Sequence, residues 1–148
     1  MKTFKIAHSE STKASKQMIW KLWSDINNWP QWDVGLATCK ASCEFKVGNT
    51  FELTPRGAPD AVVATLTEVV PNVSFSDKTE LGFASIEAIH KMREEVEGLI
   101  ITHTIIVCVR DDKADFFEGK MLPGFKNGLP QSVKSLVAMA EKLETTCA

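Results

Sequence analysis

The chain has 148 residues, 44% apolar and 24% charged, with 17 basic against 19 acidic side chains and a net charge of -2. That length suits one domain in which folding hides roughly 70% of the unfolded chain's surface, and the composition is that of a globular protein. Lysines are scattered, with no basic stripe, which speaks against nucleic acid or an anionic membrane surface as a standing partner; no apolar run of 18 residues offers a membrane span.

Residues 3–9 alternate polar and apolar and read as a first strand, with Phe4 and Ile6 on one face. Ser15 is placed to cap a helix in which Ile19, Leu22, Trp23 and Ile26 form one apolar stripe. Asn27-Asn28 is expected to end that helix, and Trp29-Pro30-Gln31-Trp32 to start a second short helical turn, with Pro30 near its beginning. Trp20, Trp29 and Trp32 read as core and rim packing, since a tryptophan needs no ligand to account for its burial.

Strands follow. Residues 37–43 form one, Val47-Gly48-Asn49 is a turn, and Thr50–Thr54 alternates. Pro55–Asp60 is a loop by composition, residues 61–70 carry the Val and Thr that strands favour, Pro71-Asn72 turns the chain, and residues 73–80 continue as a strand. Residues 84–96 and 99–110 read as a long hairpin about a Glu97-Gly98 turn. From about Asp115 to Glu144 the period is helical, with Leu129, Val133, Leu136, Val137, Ala140 and Leu143 on one face. Pro130 lies inside it, and Gly124 and Gly128 in its first half; such residues bend a helix. The order is strand, two helices, six strands, one long helix, in a single domain covering 1–148.

With Glu97-Gly98 as a two-residue turn, Glu94 opposes Ile101, Met92 opposes His103 and His90 opposes Ile105. One hairpin face then carries Ile86, Ala88, His90, Met92, Glu94, Val96, Leu99, Ile101, His103, Ile105, Val107 and Val109, and the long helix is the element left to cover it. His90, Glu94 and His103 are the polar exceptions. Two readings stand. Convergent polar groups in an apolar concavity are the usual make-up of a ligand site. Alternatively these groups satisfy each other, threonine hydroxyls or water. No catalytic residue is assigned.

Cys39, Cys43, Cys108 and Cys147 lack metal-ligand spacing; Cys39 and Cys43 on a strand would stand ~13 Å apart. Reduced, mostly buried thiols are expected, with no metal and no cofactor. The N-terminal residues Met1–Ile6 contain no continuous apolar stretch of the signal-peptide kind, and the cytoplasm is the expected location.

Several motifs carry a family resemblance. Ala14–Asp25 is similar to an A-x-x-x-x-V-W-x-x-x-x-D helix, and Asp25…Trp29-Pro30-Gln31-Trp32 to D…W-P-x-W. Val47–Phe51 resembles a G-x-x-F turn, Thr67–Pro71 a T-E-V-x-P strand end, and Leu129–Leu136 with Ala140-Glu141 the long last helix. Together they resemble the START-like, helix-grip superfamily (SRPBCC), which includes polyketide cyclase/dehydrase and lipid-transport proteins, along nearly the whole chain. The resemblance implies an α+β helix-grip fold: a seven-stranded curved antiparallel sheet wrapped around the C-terminal helix.

It also implies a hydrophobic partner, a lipid, quinone or polyketide-like molecule, in a monomer or weak homodimer. The expected cavity has a floor of Phe51, Leu53, Met92, Ile101 and Ile105, a roof of Phe125, Leu129 and Val133, and His90, Glu94 and His103 as its polar groups. Such motifs mark a fold and do not choose a chemistry. Two other functions remain open: a cyclase- or dehydratase-type enzyme moving protons through His and Glu, and a protein-interaction module using a rim around Leu81-Gly82-Phe83.

Overall fold

The computed structural model describes residues 1–147. Seven strands, β1 (Lys2–Thr12), β2 (Leu36–Lys40), β3 (Thr50–Pro55), β4 (Val62–Val70), β5 (Ser74–Glu80), β6 (Ala84–Glu95) and β7 (Gly98–Val109), form one antiparallel sheet. Their spatial order is β1-β7-β6-β5-β4-β3-β2. Register shifts between Leu36 and Thr38 and between Leu66 and Glu68 add curvature to the normal twist. Helix α1 (Lys16–Ser24) and a 3-10 turn (Ile26–Gln31) follow β1. After β7 come a 3-10 turn (Asp111–Lys113), a single turn α2 (Ala114–Phe116), a π segment (Phe117–Met121) and the long helix α3 (Leu122–Cys147). The expected helix from about Asp115 is thus present, with a π segment interrupting its α geometry.

Helix α1 begins where the sequence places it: the Ser15 hydroxyl accepts from the Met18 N–H at 3.2 Å. It ends at Ser24, before the expected Asn27-Asn28 stop. The Ser24 hydroxyl donates back to the Trp20 carbonyl at 2.8 Å, and Asp25 leaves the helical region at φ -96, ψ 71. Asn27 instead accepts from the Ala41 N–H at 2.8 Å, tying the chain beyond β2 to the turn.

The hairpin register differs from the expected one by two residues. Glu95 opposes Gly98, Met92 opposes Ile101 and His90 opposes His103, so Val96-Glu97 is the turn. Gly98 is the first residue of β7, at φ +144, where a Cβ would stand 2.8 Å from the Thr12 carbonyl oxygen. Its missing side chain thus serves close strand approach. Because strand side chains alternate with period two, a two-residue offset leaves the face assignments within the strands intact; Val96, expected on the covered face, instead falls in the turn and is exposed.

Helix α3 lies chiefly across β1 and, to a lesser extent, β7. Leu129, Val133, Leu136 and Ala140 are buried; Val137 is half-buried, and Leu143 is exposed. Two carboxylates pin its last turns. Glu141 accepts from the Thr12 hydroxyl at 2.8 Å and Glu144 from the Ser15 N–H at 2.8 Å. The interior divides into a large cluster around Ile19, Trp23, Trp29, Phe51, Phe75 and Leu136, and a smaller one around Val107, Val109, Phe117 and Leu122. Of the thiols, Cys39 is buried, Cys108 half-buried and Cys43 exposed, which corrects the mostly buried expectation; the Cys147 side chain lies outside the described residues.

Candidate functional site

Strand pairing places His8, His103, His90 and Phe75 in one row across β1, β7, β6 and β5 on the concave face. His90 stacks on Phe75 with ring centroids 3.9 Å apart and planes 4° from parallel, and meets His103 edge-on at 4.5 Å. The Trp23 indole N–H donates to His103 Nε2 at 3.2 Å. That bond requires a lone pair on Nε2, so the neutral ring carries its proton on Nδ1. His90 Nδ1 approaches the Phe75 carbonyl at 3.4 Å. Burial lowers the His90 pKa to about 3, against a small upward pull from that carbonyl. His103 is also held well below the ordinary histidine value, first by burial and then by His90 and His8. Both imidazoles are neutral at pH 7 and are built into the aromatic core. His8, half-buried at the β1 edge, pairs through Nε2 with Glu10 at 2.8 Å.

One β5 residue was not singled out from the sequence. Phe75, Asp77 and Thr79 alternate, so once Phe75 points inward the other two must follow. Asp77 lies between Leu66 of β4 and Ala88 of β6 and is 5% exposed. No hydrogen-bond donor among the described residues reaches its carboxyl group, and burial alone pushes its pKa up to about 7. Among the described residues the only fully occluded side-chain nitrogen or oxygen without a partner is Trp32 Nε1. The Asp77 oxygens are therefore not fully occluded.

A part-buried polar pair links α3 to the loop before β2: the Ser132 hydroxyl of α3 donates to Asp33 Oδ1 at 2.8 Å, and the Gly35 N–H donates to the same oxygen at 3.0 Å. Burial raises the Asp33 pKa against these two bonds. The Cys39 thiol is pushed up to about 12, by burial first and the Asp33 charge second, so it is not a nucleophile at neutral pH.

The residues expected around the cavity divide into three groups. Phe51, Met92, Ile101, Leu129 and Val133 are buried, as are His90 and His103. Leu53, Ile105 and Phe125 are half-buried. Glu94 shares their sheet face but lies beyond the covered region; its side chain is 72% exposed and 3.4 Å from Lys16 Nζ. The structure thus brings the two histidines together and leaves Glu94 apart. Around the smaller cluster, the inward-facing Ile6, Ile86 and Ile105 are half-buried, as is Ala88. The row also holds no metal geometry: among the described residues no three His, Cys, Asp or Glu side chains converge as a ligand set.

A curled antiparallel sheet gripping a C-terminal helix is the helix-grip fold of START-like proteins, and the chain has that fold. Solved structures show the same architecture. The di-domain ARO/CYC StfQ of the steffimycin biosynthetic pathway superposes with a TM-score of 0.79 at 9% identity over 97% of this chain, which spans 52% of StfQ, about half its length. Protein NE0264 from Nitrosomonas europaea gives a TM-score of 0.75 at 12% identity, covering 95% of this chain and 96% of that one. Protein MLL2253 from Mesorhizobium loti gives 0.73 at 14% identity, covering 94% and 98%. No protein-family profile matches the sequence. No curated protein matches it either. Among the described residues no helix is long and apolar enough to cross a membrane.

Proposed function

We propose that the chain, acting as a single domain, binds or carries a hydrophobic small molecule of the lipid, quinone or polyketide-like kind between its sheet and α3. The support for this reading is inward-facing apolar surface that is not fully covered. Ile86, Ala88, Ile105 and Phe125 face inward yet are only half-buried, whereas Val107 and Phe117, beside which Ile86, Ile105 and Phe125 pack, are closed. Concave apolar surface with a few polar groups is where small ligands bind. Leu53, Ile105 and Phe125 are the expected residues with surface still available to a ligand. Phe51, Met92, Ile101, Leu129 and Val133 would form the wall behind it, with His90 and His103 within that wall. Native mass spectrometry of the purified protein should find a co-purifying apolar molecule, and Nile red should bind and brighten. A protein that carries nothing and excludes the dye would sink this reading.

The second reading is a cyclase- or dehydratase-type enzyme. Its support is the likeness to StfQ together with Asp77, whose carboxyl titrates near neutrality on the concave face. Ring closure or dehydration of a poly-β-keto substrate, lost in an Asp77 variant that still binds Nile red, would favour it over carriage.

A further inference from the structure

We propose that Asp77 is the polar anchor of the concave face, accepting a hydrogen bond from a hydroxyl group on an otherwise apolar ligand. This rests on the binding reading above and specifies which chemistry it selects. The imidazoles and the other partly buried carboxyl near the concave face already have partners. His103 is held by Trp23, His90 lies against the Phe75 carbonyl, and Asp33 takes the Ser132 hydroxyl. Asp77 has none, although it is nineteen-twentieths buried between Leu66 and Ala88. A carboxyl group placed there without a donor is a standing cost to the fold. Its oxygens are not fully occluded, and Ala88, directly across on β6, is a half-buried inward residue. A donor supplied by a ligand would satisfy it.

The surroundings favour a hydroxyl over an ammonium group. The side chains flanking Asp77 on its own strand face are Phe75 and Thr79, and those across are Leu66 and Ala88. A primary ammonium brings three N–H donors and a charge whose desolvation among these apolar side chains is costly. A hydroxyl brings one donor and leaves nothing unpaired that Thr79 could not meet.

Nile red displacement from the full chain tests this with three matched competitors: 2-naphthol, 2-methoxynaphthalene and 2-naphthylmethylamine. The expected result is that 2-naphthol competes about tenfold better than 2-methoxynaphthalene, as one hydrogen bond to a desolvated carboxyl implies, and better than the amine. Asp77→Leu should erase the preference for 2-naphthol while keeping Nile red, and Asp77→Asn, which keeps one acceptor oxygen, should retain part of it. Should Asp77→Leu not fold, a preference undiminished in Asp77→Asn overturns the anchor. Equal competition by both neutral naphthalenes overturns it too, while leaving apolar binding in place, and so does a preference for the amine. Failure of Nile red to bind the unaltered protein overturns both the anchor and the binding reading.

Discussion

The indole N–H of Trp23 on α1 donates to Nε2 of His103 on β7 at 3.2 Å, joining the first helix to the sheet through two buried side chains. The bond sets the imidazole tautomer and gives the indole its acceptor. His103→Leu leaves that N–H buried without a partner. The expected loss is about 1–3 kcal/mol of stability, read by urea unfolding of the tryptophan fluorescence. His103→Gln, which can present a carbonyl oxygen to the indole, should lose less. Equal stability of the Leu variant and the parent would show that the bond contributes nothing.

The same burial makes the fold acid-sensitive. An unfolded histidine takes up a proton near pH 6.5, whereas folded His90 resists protonation down to about pH 3 and His103 is likewise lowered. The unfolded state therefore binds more protons in this window, and stability falls as pH drops below about 6.5. His90→Phe should flatten that part of the profile, measured as melting temperature between pH 6.5 and pH 4. An unchanged slope would count against a neutral buried His90.

Asp77 acts with the opposite sign. Its folded pKa lies near 7 against an ordinary value of 3.8, so between these values the folded state holds the extra proton. Its contribution is undiminished below about pH 4, declines as pH rises, and is lost above about pH 7. The upper bound on the loss is about 4 kcal/mol, at about 1.36 kcal/mol per tenfold change in proton affinity. Asp77→Leu should then raise the melting temperature at pH 8 more than at pH 4. A variant less stable than the parent at pH 8 would mean that the carboxyl has a partner in solution.

Gly98 tests the strand geometry. Gly98→Ala must place a methyl group 2.8 Å from the Thr12 carbonyl, at a φ of +144 that side chains rarely adopt. The expected cost is about 1–3 kcal/mol, with the β1–β7 edge opening first in hydrogen exchange. Gly57→Ala, also at positive φ but with no atom within 4 Å of the added carbon, should cost less.

The elements themselves were legible because their causes are local. Alternation marks strands, a 3.6 period marks helices, and Ser15 needs only its own turn to act as a cap. The hairpin faces also survived a register wrong by two residues, since parity and not exact pairing decides which side chains look inward. The register itself was not legible: what places Gly98 in the ladder is the Thr12 backbone, 86 positions earlier in the chain.

The expected floor and roof show the same division. Sequence parity correctly put Glu94 on the face shared by His90 and Met92, but its exposure depends on where α3 stops covering the sheet. Leu143 follows the helical stripe yet is exposed.

By itself, the sequence determined the element order, the faces of each strand and the apolar stripe of α3, all consequences of short-range periodicity and backbone preference. Only the tertiary structure decided which polar groups have partners. His90 and His103 drew notice as imidazoles on an apolar face, and packing set them against Phe75 and Trp23. Asp77 drew none in a strand of serines and charges, yet it is the carboxyl left without a donor. Whether a buried group is satisfied depends on atoms brought together from distant strands and helices, which no local pattern encodes.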